Sequence, residues 1–257
     1  AELPLNHLGL HVDYLDATGP LPDPAGLSDL RGVIAWFPSD SSFEDPARLC
    51  AWLSGLMRAG KRVVLLGQLG LYPKSGDSDT PAPACAEALA RIGLRAAGSV
   101  SVDPLSVRIA DSDPRFVGFE RKADPTERGI LPLVRALPGA RALLRLELSN
   151  ARQKIVEPVL VSSFGGEALD PFVLYVNEGV SPHQFRWVID PFAFFEAAFG
   201  LEGTPRPDVT TINGRRVYMS HVDGDGFHNL TEADRKKTSG EIFLREITGF
   251  ARETAAA

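Results

Sequence analysis

The 257-residue chain carries 27 basic and 33 acidic residues, a formal charge of −6, and its residues are 44% hydrophobic and 23% charged. That composition supports a packed core and excludes a chain disordered over most of its length; the mildly acidic balance argues against nucleic acid or an anionic membrane surface as the main partner. No apolar run approaches the ~20 residues of a membrane span, and the length fits one large domain or two modest ones at roughly 100–200 residues each.

The chain opens with AELPLNHLGL, in which Pro4–Leu8 reads as the last turns of a helix closed by Gly9. Leu10–Tyr14 alternates like a strand. After a Pro/Gly/Asp loop, Gly32–Phe37 (GVIAWF) is a continuous apolar run, the pattern of a strand buried on both faces of a parallel sheet. Ser41-Ser42-Phe43-Glu44-Asp45-Pro46 predicts a helix start with a hydroxyl cap and an acidic first turn. Leu49, Trp52, Leu53, Leu56 and Met57 follow at helical spacing, with Gly60 as the stop. Arg62–Gly67 (RVVLLG) is a second buried strand, and strand–helix–strand with short links points to a parallel α/β sheet.

Pro83–Ile92 predicts a second helix, closed by Gly93. The cysteines, Cys50 and Cys85, each fall in an expected helix among small or apolar residues and form no C-x-x-C, so buried free thiols are expected rather than a bridge. Val100–Leu148 fits short strands and turns better than long helices. Glu157–Ser162 and Pro171–Val176 read as strands around a polar, glycine-containing turn, and Phe185–Asp190 as a further strand. Pro191–Phe199 is a helix with Asp190 as its cap and proline in the first turn. Gly203–Asp208 (GTPRPD) is the best linker, which sets an α/β domain over 1–204 and a second segment over 205–257. There Asn213-Gly214 between two strand-like runs signals a hairpin, and a helix is expected over Gly240–Thr254.

The hairpin leads into Met219-Ser220-His221-Val222-Asp223-Gly224-Asp225-Gly226-Phe227. In an extended strand Asp223 and Asp225 project to one side, and the glycines let the backbone approach a ligand closely. Two close carboxylates repel unless a cation or a shared proton compensates. An acidic turn after a strand is the plain alternative. A calcium loop of the EF-hand kind is excluded, because Phe227 and Asp234 stand at its fifth and twelfth positions. A haloacid-dehalogenase-type phosphatase would use Asp223 as nucleophile, Asp225 as acid and magnesium as cofactor, but usually has a small hydroxyl residue where this chain has Phe227.

The segment most resembles the first motif of carbohydrate esterase family 4 polysaccharide deacetylases, and more narrowly the deacetylases of the Pel exopolysaccharide system and their relatives. Phe185–Gly200 (FRWVIDPFAFFEAAFG), Val217–Phe227 (VYMSHVDGDGF) and the later Ser239-Gly240-Glu241-Ile242 carry the resemblance. It implies an open, mostly parallel α/β sheet of flavodoxin-like or glutamine-amidotransferase-like type, followed by the opening of a deacetylase domain. It also implies Asp223 as general base, Asp225 as metal ligand, and a divalent ion, zinc, in the complete parent. The ion would lower the pKa of its bound water and polarise the acetamide carbonyl. The implied partners are a polysaccharide substrate and other exopolysaccharide-export proteins, and the implied location is periplasmic or secreted.

The family completes its metal site with a later H-x-x-x-H, whereas the only histidine after His221 is His228. Residues 228–257 are also too few for the family's barrel, since a complete (β/α)8 fold takes roughly 250. The expectation is therefore an excerpt, inactive by itself and without tight metal binding. The α/β domain offers no nucleophile in the Leu66-Gly67-Gln68-Leu69-Gly70 turn and no dinucleotide fingerprint, and His7, His11 and His183 are isolated. Its open possibility is a crevice at the strand carboxyl ends lined by Ser39, Asp40, Gln68, Asn177 and Glu178, with plain polar turns as the alternative; an occupied crevice would make the chain a non-catalytic carbohydrate-binding or scaffold module, the second functional expectation beside the deacetylase.

Overall fold

The structure is a computed structural model that describes residues 1–37, 39, 42–43, 46–71, 81–149, 151–206, 211–212, 215–216, 224–232 and 235–255. The chain forms two compact units, Ala1–Pro207 and Asp208–Ala257.

The first unit is α/β. After helix α1 (Glu2–His7), strand β1 (Gly32–Phe37), helix α2 (Ala47–Arg58), strand β2 (Arg62–Gly67) and helix α3 (Pro83–Ile92) form the first half. The strands that follow are β3 (Leu94–Ser101), β4 (Val107–Ser112), β5 (Ile130–Ala136), β6 (Ala140–Leu148), β7 (Ile155–Ser162) and β8 (Gly165–Leu169). A ribbon of β9 (Leu174–Asn177) and β10 (Gln184–Trp187) then leads into helix α4 (Pro191–Phe199).

The main sheet has the order β1-β2-β8-β7-β6-β4. It is parallel from β1 through β2 to β8 and antiparallel from β8 to β4, so the expected mostly parallel sheet is corrected to a mixed one. The cause lies in residues 163–169, which read as a polar turn but carry β8, every residue of it buried. Its small residues are required by close packing. A side-chain carbon on Gly165, at φ +144°, would lie 1.7 Å from the Val63 carbonyl oxygen, and one on Gly166 would touch Ala198 and Phe194 of α4.

Helix boundaries follow local chemistry. Asp190 accepts from the N–H groups of Phe192 and Ala193, Pro191 opens α4, and Gly200 ends it at φ +60°. Helix α2 starts later than the hydroxyl-cap reading, with Pro46 as its cap; Ser41, Glu44 and Asp45 lie outside the described residues. Its C-terminus is a Schellman closure, in which Lys61 N–H donates to Leu56 C=O and Gly60 N–H to Met57 C=O. Leu49, Trp52, Leu53, Leu56 and Met57 are all buried.

Four further expectations change. Cys50 and Cys85 are disulfide-bonded across α2 and α3, 35 residues apart in sequence, not free thiols. Two helices packed together bring both sulfurs to one seam, which the separate helical positions did not disclose. Leu10–Tyr14 is irregular, and among the described residues no strand pairs with it to complete a ladder. Among the described residues strand β1 is an edge strand paired to β2 alone, and Trp36 is 39% exposed. The runs Pro171–Val176 and Phe185–Asp190 contribute only the shorter β9 and β10, outside the main sheet.

In the second unit, β11 (Thr211–Ile212) pairs antiparallel with β12 (Arg215–Arg216), and helix α5 spans Ser239–Ala255. Helix α5 begins with a capping box: Glu241 accepts from the Thr238 N–H at 2.8 Å while the Thr238 hydroxyl accepts from the Glu241 N–H at 3.2 Å.

Candidate functional site

Two places in the chain gather chemistry. The first is the aspartate motif of the second unit. Asp223 and His221 lie outside the described residues; Asp225 is described and exposed. It sits in a run of turns over residues 224–230, folded by Phe227 N–H to Gly224 C=O and Asn229 N–H to Gly226 C=O, with Gly226 at φ +82°. This segment docks on the start of α5. Gly240 N–H donates to Phe227 C=O at 2.8 Å and Ser239 N–H to Asn229 C=O at 2.9 Å. A side-chain carbon on Gly240 would meet the Phe227 ring at 2.5 Å. Phe227 is therefore a packing residue that seats the turn on the helix.

A catalytic zinc takes three protein ligands and a water. Among the described residues no group of three or more His, Cys, Asp or Glu side chains converges, and Asp225 supplies a single exposed carboxylate. The described residues therefore do not make a complete metal site.

The second place is a cleft of about 360 Å3 beyond the carboxyl ends of the parallel strands, walled by Trp36, Phe37, Arg128, Asp170, Leu174 and Val176. Asp170 follows β8, and its N–H donates to Gly67 C=O at the end of β2. Its carboxylate accepts from the Gln68 side-chain amide at 3.3 Å and pairs with Arg128 at 2.9 Å. Trp36, next to last in β1, lies beside Trp187, with ring centroids 6.1 Å apart. Gly67, at φ +78°, makes room for the indole, since a side-chain carbon there would lie 2.8 Å from Trp36 Nε1.

Of the residues expected at a strand-end crevice, Gln68 joins the site through Asp170. Ser39 is described and exposed, and Asp40 lies outside the described residues. Asn177 ends β9 and caps its own turn by accepting from Gly179 N–H; neither it nor Glu178 walls the cleft. Trp36, Arg128 and Asp170 were missed. Only Trp36 carried a local sign, an aromatic at the end of an apolar strand; Arg128 arrives from a loop distant in sequence. The four described histidines stay apart: His7 packs edge-on against Phe192, His11 pairs with exposed Asp13, and His183 and His228 are exposed.

Glu167 on β8 is fully buried, and neither carboxyl oxygen has a hydrogen-bond partner among the described residues. Burial pushes its carboxyl well above the ordinary range. No helix among the described residues is long and apolar enough to cross a membrane. No protein-family model, curated protein or solved structure matches the chain.

Proposed function

We propose that the chain forms part of a metal-dependent polysaccharide N-deacetylase acting on an N-acetylated exopolysaccharide, with the α/β unit in a non-catalytic role. The observation that carries this reading is the doubled Asp-Gly motif in the sequence, whose described turn from Gly224 onward is seated by Phe227 on the capped N-terminus of α5. Asp223 is assigned as general base, taking the proton of the water that attacks the acetamide carbonyl. Asp225 is assigned as one metal ligand, the others being supplied from outside the described residues.

Two features support the reading indirectly. The phosphatase alternative wants a small hydroxyl residue at position 227, where this chain has a phenylalanine whose ring packs on Gly240. The Cys50–Cys85 bridge suits an oxidising compartment, as a periplasmic or secreted location would require. The flavodoxin-like or amidotransferase-like description of the α/β unit belongs to the same proposal; the parallel β1–α2–β2 unit supports it, and the antiparallel half of the sheet counts against it.

The test is acetate release from a chitin-type oligosaccharide by the gene product that carries this chain, with and without added zinc. Zinc-dependent release that falls about 10²–10⁴-fold in Asp223→Asn supports the assignment, that being the usual contribution of a general base. No release, or release unaltered by Asp223→Asn, overturns it.

A further inference from the structure

The strand-end cleft of the α/β unit has a composition that the aspartate motif does not explain. One wall is aromatic. Trp36 is 39% exposed although it lies within a strand of the main sheet, and its indole packs against Gly67 and beside Trp187. On the β9–β10 ribbon, Leu174 pairs with Trp187 and Val176 with Phe185, and paired residues of an antiparallel ribbon share a face. Leu174 and Val176 wall the cleft, so Trp187 and Phe185 belong to the same side, where Phe185 is 60% exposed. The other wall is polar: the Asp170 carboxylate, braced by Gln68, faces Arg128, whose side chain is 50% exposed.

Flat apolar rings beside a carboxylate–guanidinium pair match one kind of ligand closely. A pyranose has an apolar face of axial C–H groups and a rim of equatorial hydroxyls. The face stacks on an indole, and neighbouring hydroxyls both donate to a carboxylate and accept from a guanidinium. A purely apolar ligand would leave Arg128 and Asp170 desolvated against it. A strongly anionic ligand would meet Asp170 and a chain of net charge −6.

We propose that this cleft is a carbohydrate-binding site, which stacks one pyranose ring of an oligosaccharide on Trp36 and engages its hydroxyls with Asp170 and Arg128. Gln68 positions the carboxylate. The site turns nothing over, and it stands apart from the deacetylase assignment, because it uses neither Asp223 nor Asp225.

The test is calorimetric titration of the chain with chitotetraose, its deacetylated form and cellotetraose, with thermal melts to establish that each variant is folded. Saturable binding of at least one sugar is expected. Trp36→Ala should weaken it about tenfold or more, equivalent to about 1.4 kcal/mol. Trp36→Phe retains a flat ring and should stay within about threefold of the parent. Tyr14→Ala, an exposed aromatic outside the cleft walls, should bind as the parent does. Binding of none of the three sugars overturns the proposal, as does binding that Trp36→Ala leaves intact. Acetate release reads the other assignment separately, so the two stand or fall on different measurements.

Discussion

Glu157 and Glu167 are buried on the adjacent antiparallel strands β7 and β8, yet one is fully partnered and the other is not. Glu157 accepts from Arg135, Arg145 and the Ala136 N–H at 3.0–3.1 Å. Burial opposes its ionisation, but those donors outweigh burial and hold its carboxyl below the ordinary range. Glu167 has Leu65 and Leu160 as its strand neighbours and no donor.

The two carboxyls therefore bias stability in opposite directions with pH. The raised group, Glu167, gives its full contribution below the unfolded value of about 4.3, and loses it as pH rises through its raised folded value. The lowered group, Glu157, contributes above about 4.3 and loses that as pH falls through its lowered folded value. Glu167→Met keeps the shape and removes the unpaired polar head. It should raise unfolding free energy by about 1–3 kcal/mol at pH 7, and the gain should shrink toward pH 4. Urea denaturation across that range measures both. A variant less stable than the parent would mean that Glu167 has a partner in solution.

Glu157→Ala should be costly instead. Arg135 and Arg145 are half-exposed and recover water, but the Ala136 N–H loses its acceptor. The expected loss is about 2 kcal/mol, read from the denaturation midpoint at pH 7.

The bridge between α2 and α3 closes a span of 35 residues. Loop-closure entropy assigns it about 3–4 kcal/mol. Reduction, or a Cys50→Ala, Cys85→Ala double variant, should lower the melting temperature by several degrees. A melt indifferent to reductant would show that the α2–α3 seam holds by packing alone.

Gly165 should tolerate no side chain. At φ +144° and with the Val63 carbonyl where a Cβ would stand, Gly165→Ala must displace the start of β8 from β2. A loss of more than about 3 kcal/mol is expected, against about 1 kcal/mol for removing the α4 cap in Asp190→Ala. Circular dichroism melts of the two variants test the ranking.

Where periodicity and punctuation coincide, the sequence was legible. Pro83 to Gly93 and Asp190 to Gly200 delimit their helices to the residue, because cap, proline and left-handed glycine all act locally. The sheet was not legible to the same degree. Gly165-Gly166-Glu167-Ala168-Leu169 looks like a turn by composition, and its strand identity comes from Val63–Gly67 and Val159–Ser162 on either side. The disulfide and the cleft were hidden for the same reason: each joins residues that only the packed sheet brings together. Asp225 was visible as a motif, while the seat that Phe227 makes on Gly240 was not.

The placement of β8 also orders events during synthesis. Gln68 and Asp170, which meet at the strand ends, are 102 residues apart, so β2 leaves the ribosome well ahead of the strand that must cover its flank. Until then β2, buried from Val63 to Gly67 in the folded unit, has an open edge, the kind of surface on which nascent chains misassociate. The Cys50–Cys85 bridge lies wholly within the early half, where oxidation can lock α2 to α3 before β8 arrives. Chains made under reducing conditions would wait for β8 without that clasp, and their yield of folded protein is where its absence would first be felt.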